Sequence, residues 1–343
     1  MAFDRRTFLM ATGLMATGSA MASVGCSAAS TTPMAMGSDN WLGFKAKFYS
    51  EDGRIIDTGN KGISHSEGQG YGMLLAALAG DRPAFESMHN WSEANLLRTD
   101  LALFSWRYDP ALPMPVSDPN NASDGDILIA WALMIAGEKW QHPPYRERAR
   151  AVRNAIRSHL LAERHGLLVL LPGLVGFDMP ERTTLNPAYY IWPAFDLFNV
   201  ADGGEVWGRL ITDGETMMER CRFGALGLPT DWVDLRAGGI FQPAEGKPAR
   251  FGFDAIRAPL YLALAGRNEQ TANFRHYWAG YVSQGRAIPA WVDVQTGETA
   301  PYPLSQGGLD IVFRVTGRKV TETGNLPEQD YYSAVLSALA RLP

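Results

Sequence analysis

The sequence predicts an all-α protein whose helices form an inner and an outer ring, the layout of an α/α barrel, with short β elements confined to loops. Three observations lead there. Helical stretches alternate with Gly- and Pro-rich loops from residue 41 to the end. Two of them, around Met73 to Leu78 and Ile127 to Ile135, are apolar nearly all round, which places them where more than one side is covered. Strand signals are few: Leu167 to Leu171 and Ala287 to Val292 are the best short apolar runs, and they are too isolated to build a sheet. Fully apolar helices alternating with solvent-facing ones give two concentric layers. In chain order the predicted helices are 67–79, 83–97, 126–136, 145–163, 187–199, 205–222, 255–265, 271–282, 304–315 and 328–342. A capping box of Ser64 and Glu67 starts the first, acidic Asp124 and Asp126 suit the start of the third, and Asp254 suits the start of the seventh. No repeat of 20–50 residues appears, which sets a solenoid aside.

Composition narrows the function. The chain has 343 residues, 46% hydrophobic and 20% charged, with 31 Lys+Arg against 36 Asp+Glu for a net charge of −5. Those proportions belong to a folded chain and exclude a disordered or collagenous one. An acidic balance without a basic stripe argues against nucleic acid as the main partner.

Residues 1–30 read as an export segment and linker, and 31–343 as a single domain, with small polar residues continuing from Ser30 to Asn40. Arg5-Arg6 precedes the uncharged stretch Ala11 to Ala22, the pattern of a twin-arginine signal, too short for a spanning helix. Ala20-Met21-Ala22 suits cleavage to a periplasmic or secreted protein without a membrane span; Val24-Gly25-Cys26 offers the alternative of a lipid-bearing Cys26. The other cysteine, Cys221, lies in an apolar helical context and reads as a buried structural thiol, so no disulfide framework is expected.

Three stretches carry the chemistry. In Ser64-His65-Ser66-Glu67-Gly68-Gln69-Gly70-Tyr71-Gly72, three glycines sit in the first turns of a buried helix at a cost of about 1 kcal/mol each, which calls for a close approach of backbone or ligand. A carboxyl there, beside Tyr71, has the surroundings of a general acid, though Glu67 is equally a capping residue. In Asn121-Ala122-Ser123-Asp124-Gly125-Asp126, two carboxylates exceed what one cap needs, and the spacing lacks the further ligands of a calcium loop. In Phe253-Asp254-Ala255-Ile256-Arg257, Asp254 is a cap, an ion-pair partner of Arg257, or a base. Together they point to paired carboxylates, one protonating a leaving oxygen and one activating water, as in glycoside hydrolysis. Ten Trp supply flat rings; most belong to the core, and Trp106 is the first candidate for stacking on a sugar.

These stretches, with Asn186-Pro187-Ala188-Tyr189 as a fourth, resemble glycoside hydrolase family 8, especially its bacterial endo-β-1,4-glucanases associated with cellulose synthesis. The resemblance implies an (α/α)6 barrel and an inverting, cofactor-free and metal-free hydrolase of β-1,4-glucan. It implies Glu67 as general acid, Asp254 as general base and Asp124 as the carboxylate that holds and distorts the sugar. Trp106, Tyr189, Arg257, Gln69 and Tyr71 are implied as substrate-binding residues. The implied partners are a β-1,4-glucan chain and the cellulose synthase machinery, for a monomeric protein. Two positions depart from the pattern: Phe253 stands before the base where Tyr is common, and Ala188 where Ser is common. Alternatives are the same chemistry on xylan, mixed-linkage β-glucan or chitosan, a non-catalytic glucan-binding protein, and a terpene-type cyclase, for which Asp124-Gly125-Asp126 is a poor magnesium motif.

Overall fold

A computed structural model describes residues 38–318 and 329–342. The export segment with Arg5, Arg6 and Cys26 lies outside the described residues. The helices are α1 (Ser38–Phe48), α2 (Ser66–Ala79), α3 (Arg82–Asn95), α4 (Ser123–Lys139), α5 (Pro143–His159), α6 (Trp192–Asp202), α7 (Glu205–Arg220), α8 (Arg257–Leu264), α9 (Ala272–Val282), α10 (Gln306–Thr316) and α11 (Tyr331–Ala340).

The predicted two layers form. α2, α4 and α8 are buried along most of their length, whereas α3, α5 and α7 bury one apolar stripe and turn charged residues outward. α2 touches α4, α4 touches α6, α6 touches α8 and α8 touches α10, while α3, α5 and α7 each back the helix before them. α11 packs on α10 and α1, and α1 on α2, which returns the chain to its start. The result is an α/α barrel with the N-termini of α2, α4 and α8 in one neighbourhood.

The costly glycines have a packing reason. A Cβ on Gly70 would stand 2.5 Å from Leu128 Cβ, and one on Gly125 would stand 2.7 Å from the Glu67 nitrogen. Bare backbone at both positions lets the starts of α2 and α4 approach, which sets Glu67 near Asp124. Gly70→Ala is therefore expected to destabilise by about 1–3 kcal/mol through overpacking, despite the better helix former. A urea-unfolding midpoint equal to or above the parent's would contradict this close approach.

Several elements differ from expectation. The predicted linker already becomes helical at Ser38: Trp41, Phe44 and Phe48 bury one face of α1, and Phe44 and Phe48 meet Tyr331. The predicted helix 187–199 divides into a single turn, Pro187–Tyr189, and α6, which starts at Trp192 with Pro193 in its first turn. Proline lacks an N–H and disfavours helix for the residue before it, so the break falls there. The predicted helix 145–163 stops at His159, because Leu161–Arg164 pairs with Leu167–Leu170 in a hairpin. Its turn residues His165 and Gly166 have φ of 51° and 82°, as a type I′ turn needs.

The expectation that strands would build no sheet is also corrected. Asp178–Met179, Arg182–Leu185, Val233–Arg236 and Ile240–Pro243 form a four-stranded antiparallel sheet in that order. Of the run 287–292, only Val292 enters a strand, Val292–Asp293, paired with Arg250–Phe251. Strands of two to four residues are too short to show alternation, so their pairing is fixed by the barrel around them. Cys221 is fully buried, and burial pushes its thiol pKa upward, consistent with a structural thiol.

Candidate active site

Glu67 stands in the first turn of α2, and the predicted capping box does not form. Ser64 Oγ instead donates to the Ile55 carbonyl at 2.6 Å. The cap is His65, whose Nδ1 accepts the Gly68 N–H at 3.0 Å while Nε2 lies 3.3 Å from Asp57 Oδ2. Glu67 is thereby released from capping, with its side chain 18% exposed. One turn on, the Tyr71 hydroxyl lies 3.4 Å from Glu67 Oε1 and shares a 2.6 Å hydrogen bond with Tyr261.

Asp124 lies in the first turn of α4 without capping it: Oδ1 accepts the neighbouring Gly125 N–H at 2.8 Å. Asp126, two residues on, is fully buried and accepts from the Phe104 N–H at 2.8 Å and Asn121 Nδ2 at 2.7 Å. It anchors the loop that carries Trp106, so of the two carboxylates at this helix start one serves the fold and one faces the site. Asp254 lies just before α8, and the predicted helix start at Ala255 moves to Arg257 because residues 253–256 form a turn.

Arg257 joins the three carboxylates. Its Nη1 donates to Glu67 Oε1 and lies 3.4 Å from Asp124 Oδ2, and its Nη2 donates to Asp254 Oδ1 at 2.9 Å. Nη1 also reaches the Tyr71 hydroxyl at 3.2 Å. One cation among three carboxylates cannot neutralise them all, and burial of unpaired charge is costly. Burial pushes the Asp124 carboxyl up to about 7. Asp254, although its side chain is 33% exposed, is pushed up to about 8 by its depth in the wall of the site and by the neighbouring carboxylates of Asp231 and Asp124. Arg257 pulls the other way. Asp124 and Asp254 therefore bind protons more readily than isolated carboxylates, the first enclosed and the second open to solvent.

Flat rings border the carboxylates. Trp106 is half-buried, its Nε1 bonded to Asp118 at 2.8 Å, and its carbonyl accepts the Ser66 N–H, beside Glu67. Tyr189 has Asp124 and Asp254 near its hydroxyl, and burial pushes that hydroxyl's pKa upward. Trp232 was not singled out by sequence; it stands edge-on to Tyr189 at 6.0 Å and stacks on Phe177 at 5.8 Å. Phe253 is 53% exposed, and its carbonyl accepts a hydrogen bond from the Tyr332 hydroxyl. The only sequence signal for Trp232 was its residue type.

Three residues implied as substrate contacts are buried and bonded within the protein. Gln69 is fully buried, its amide holding Ile55 N–H at 2.6 Å, the Gly53 carbonyl at 3.0 Å and Ser92 Oγ at 3.2 Å, so it braces the segment before α2 instead of meeting ligand. Tyr71 is fully buried beneath Glu67 and supports that carboxylate. Arg257, 2% exposed, acts on the carboxylates themselves.

Comparison with known proteins agrees with this geometry. The profile of the family described as glycosyl hydrolases family 8 matches residues 9–342. A probable endoglucanase of Novacetimonas hansenii is 42% identical over 310 residues, covering 87% of this chain and 88% of the relative. An endoglucanase of Cellulomonas uda is 40% identical over 280 residues, 81% and 77% of the two chains. The solved endo-β-1,4-glucanase CMCax from Acetobacter xylinum superposes with a TM-score of 0.83 at 40% identity, covering 90% of this chain and 97% of that one. A family 8 endo-β-1,4-glucanase from an Achatina fulica gut metagenomic library gives 0.82 at 39% identity, covering 88% and 95%. With a profile match over nearly its whole length and relatives of this identity, the chain belongs to glycosyl hydrolases family 8 and is a glycoside hydrolase built on an (α/α)6 barrel.

Proposed function

We propose that the protein is an endo-β-1,4-glucanase that cleaves internal bonds of a cellulose-like chain with inversion. Glu67 protonates the leaving oxygen, Asp254 takes a proton from the attacking water, and Asp124 holds the sugar at the point of cleavage. The observation that carries this is the meeting of three carboxylates from three separate helix starts on one guanidinium. Glu67 and Asp254 occupy different nitrogens of Arg257, so the cation stands between them. Inversion needs an acid and a base about 6.5–9.5 Å apart, to seat a water opposite the leaving group. The endoglucanase names of the relatives support the choice of a β-1,4-glucan. Export to the periplasm or medium rests on the pattern from Arg5 to Ala22, and work beside a cellulose synthase on the resemblance alone.

Proton NMR during digestion of a soluble cello-oligosaccharide is expected to show the α-anomer first, followed by mutarotation. A first-formed β-anomer would overturn inversion. Reducing ends released from cellulose derivatives in excess of those from xylan, mixed-linkage glucan and chitosan are expected; the opposite ranking would move the substrate.

A further inference from the structure

The turn that carries Asp254 is organised from outside its own helix. Asp231 Oδ1 accepts three backbone N–H groups from it: Gly252 at 3.1 Å, Asp254 at 3.1 Å and Ala255 at 2.8 Å. The Asp231 N–H returns a bond to the Arg250 carbonyl at 2.8 Å, so the residue grips both ends of the turn. Its other oxygen nests on Gly252, where a Cβ would stand only 2.9 Å from Oδ2. Asp231 itself is fixed two residues before the strand Val233–Arg236, and the Trp232 carbonyl accepts the Ala244 N–H. The four-stranded sheet is thus the frame on which the turn is held.

We propose that Asp231 is the positioning residue of the general base: its one oxygen sets where the Asp254 carboxyl stands, and its charge sets how readily that carboxyl takes the proton of water. This rests on the reading of Asp254 as base. A cap for the turn needs only an acceptor, and a neutral side chain would supply it; a second carboxylate beside a base is a costly choice that also raises the base's proton affinity. Asp231 is itself held up to about 6 by burial, opposed by the three N–H donors and by Arg250. The groups facing Asp254 are Asp231 ahead of the sheet, Asp124 at α4, Arg257 at α8, Tyr189 in the turn before α6, Tyr332 on α11, and the polar side chains of Asn186 and Trp232. Among the acidic ones, Asp231 ranks ahead of Asp124 in its effect on Asp254.

The two contributions separate by substitution. Asp231→Asn keeps an oxygen for the three N–H groups and removes the charge. Turnover at the optimum is expected to stay within about 10-fold of the parent, while the acid limb of kcat/KM moves to lower pH by about one unit, because the base needs less alkaline conditions to ionise. Asp231→Ala frees three N–H groups and is expected to lose at least about 10²-fold in kcat with little change in KM. An acid limb that does not move in Asp231→Asn would overturn the proposal, as would an Asp231→Ala enzyme with parental kcat. If the alanine variant does not fold, the asparagine pH profile decides. Asp254→Asn is the control. Parental activity there refutes Asp254 as the base, whereas an inactive Asp254→Asn beside an unmoved Asp231→Asn profile refutes only the role given to Asp231.

Discussion

Glu67→Gln lowers turnover on a β-1,4-glucan by about 10³-fold and leaves glucan binding within a few-fold of the parent. Gln keeps the size and hydrogen-bonding capacity of the side chain, so Tyr71 and Arg257 retain a neighbour, and only the transferable proton is lost. That loss matters in proportion to how poorly the departing oxygen carries negative charge. A sugar hydroxyl leaves badly without a proton, whereas a dinitrophenolate leaves well. On a dinitrophenyl cello-oligosaccharide the variant is accordingly expected to recover to within about 10-fold of the parent. Initial rates on the two substrates decide: an equal loss on both would mean that Glu67 does something other than donate a proton.

Asp254→Asn gives a comparable loss, about 10³-fold, on both substrates. A better leaving group does not generate a nucleophile, and the water opposite it still needs a base. The contrast between the two variants therefore assigns acid and base without reference to any other protein. Recovery of Asp254→Asn on the activated substrate would exchange the roles or place the base elsewhere, with Asp231, bonded to the same turn, the next carboxylate to test.

Much of the site was legible in residue order because its chemistry is concentrated in three short segments, each at a helix start. Asp124 and Asp126 stood out as more carboxylate than one cap asks, Glu67 and Asp254 read as caps or as acid–base groups, and of the glycines in α2 that announced a close approach Gly70 proved to meet α4. The support of those carboxylates was not legible. Gln69 lies within the same motif as Glu67, yet it points into the protein and braces backbone. Asp231 lies in no motif, and its three hydrogen bonds reach residues 21 to 24 positions away. The strands that hold it are too short to alternate detectably.

The amino-acid sequence by itself determined the helical layers, the family and the reactive carboxyl groups, because hydrophobic period and residue chemistry are local properties of the chain. Only the tertiary structure decided which of those groups share a cation, which polar residues turn inward, and which acid grips the base from the sheet. Those are matters of direction and distance between segments far apart in the chain, 190 positions from Glu67 to Arg257 and 133 from Asp124 to Arg257, and no local pattern encodes them.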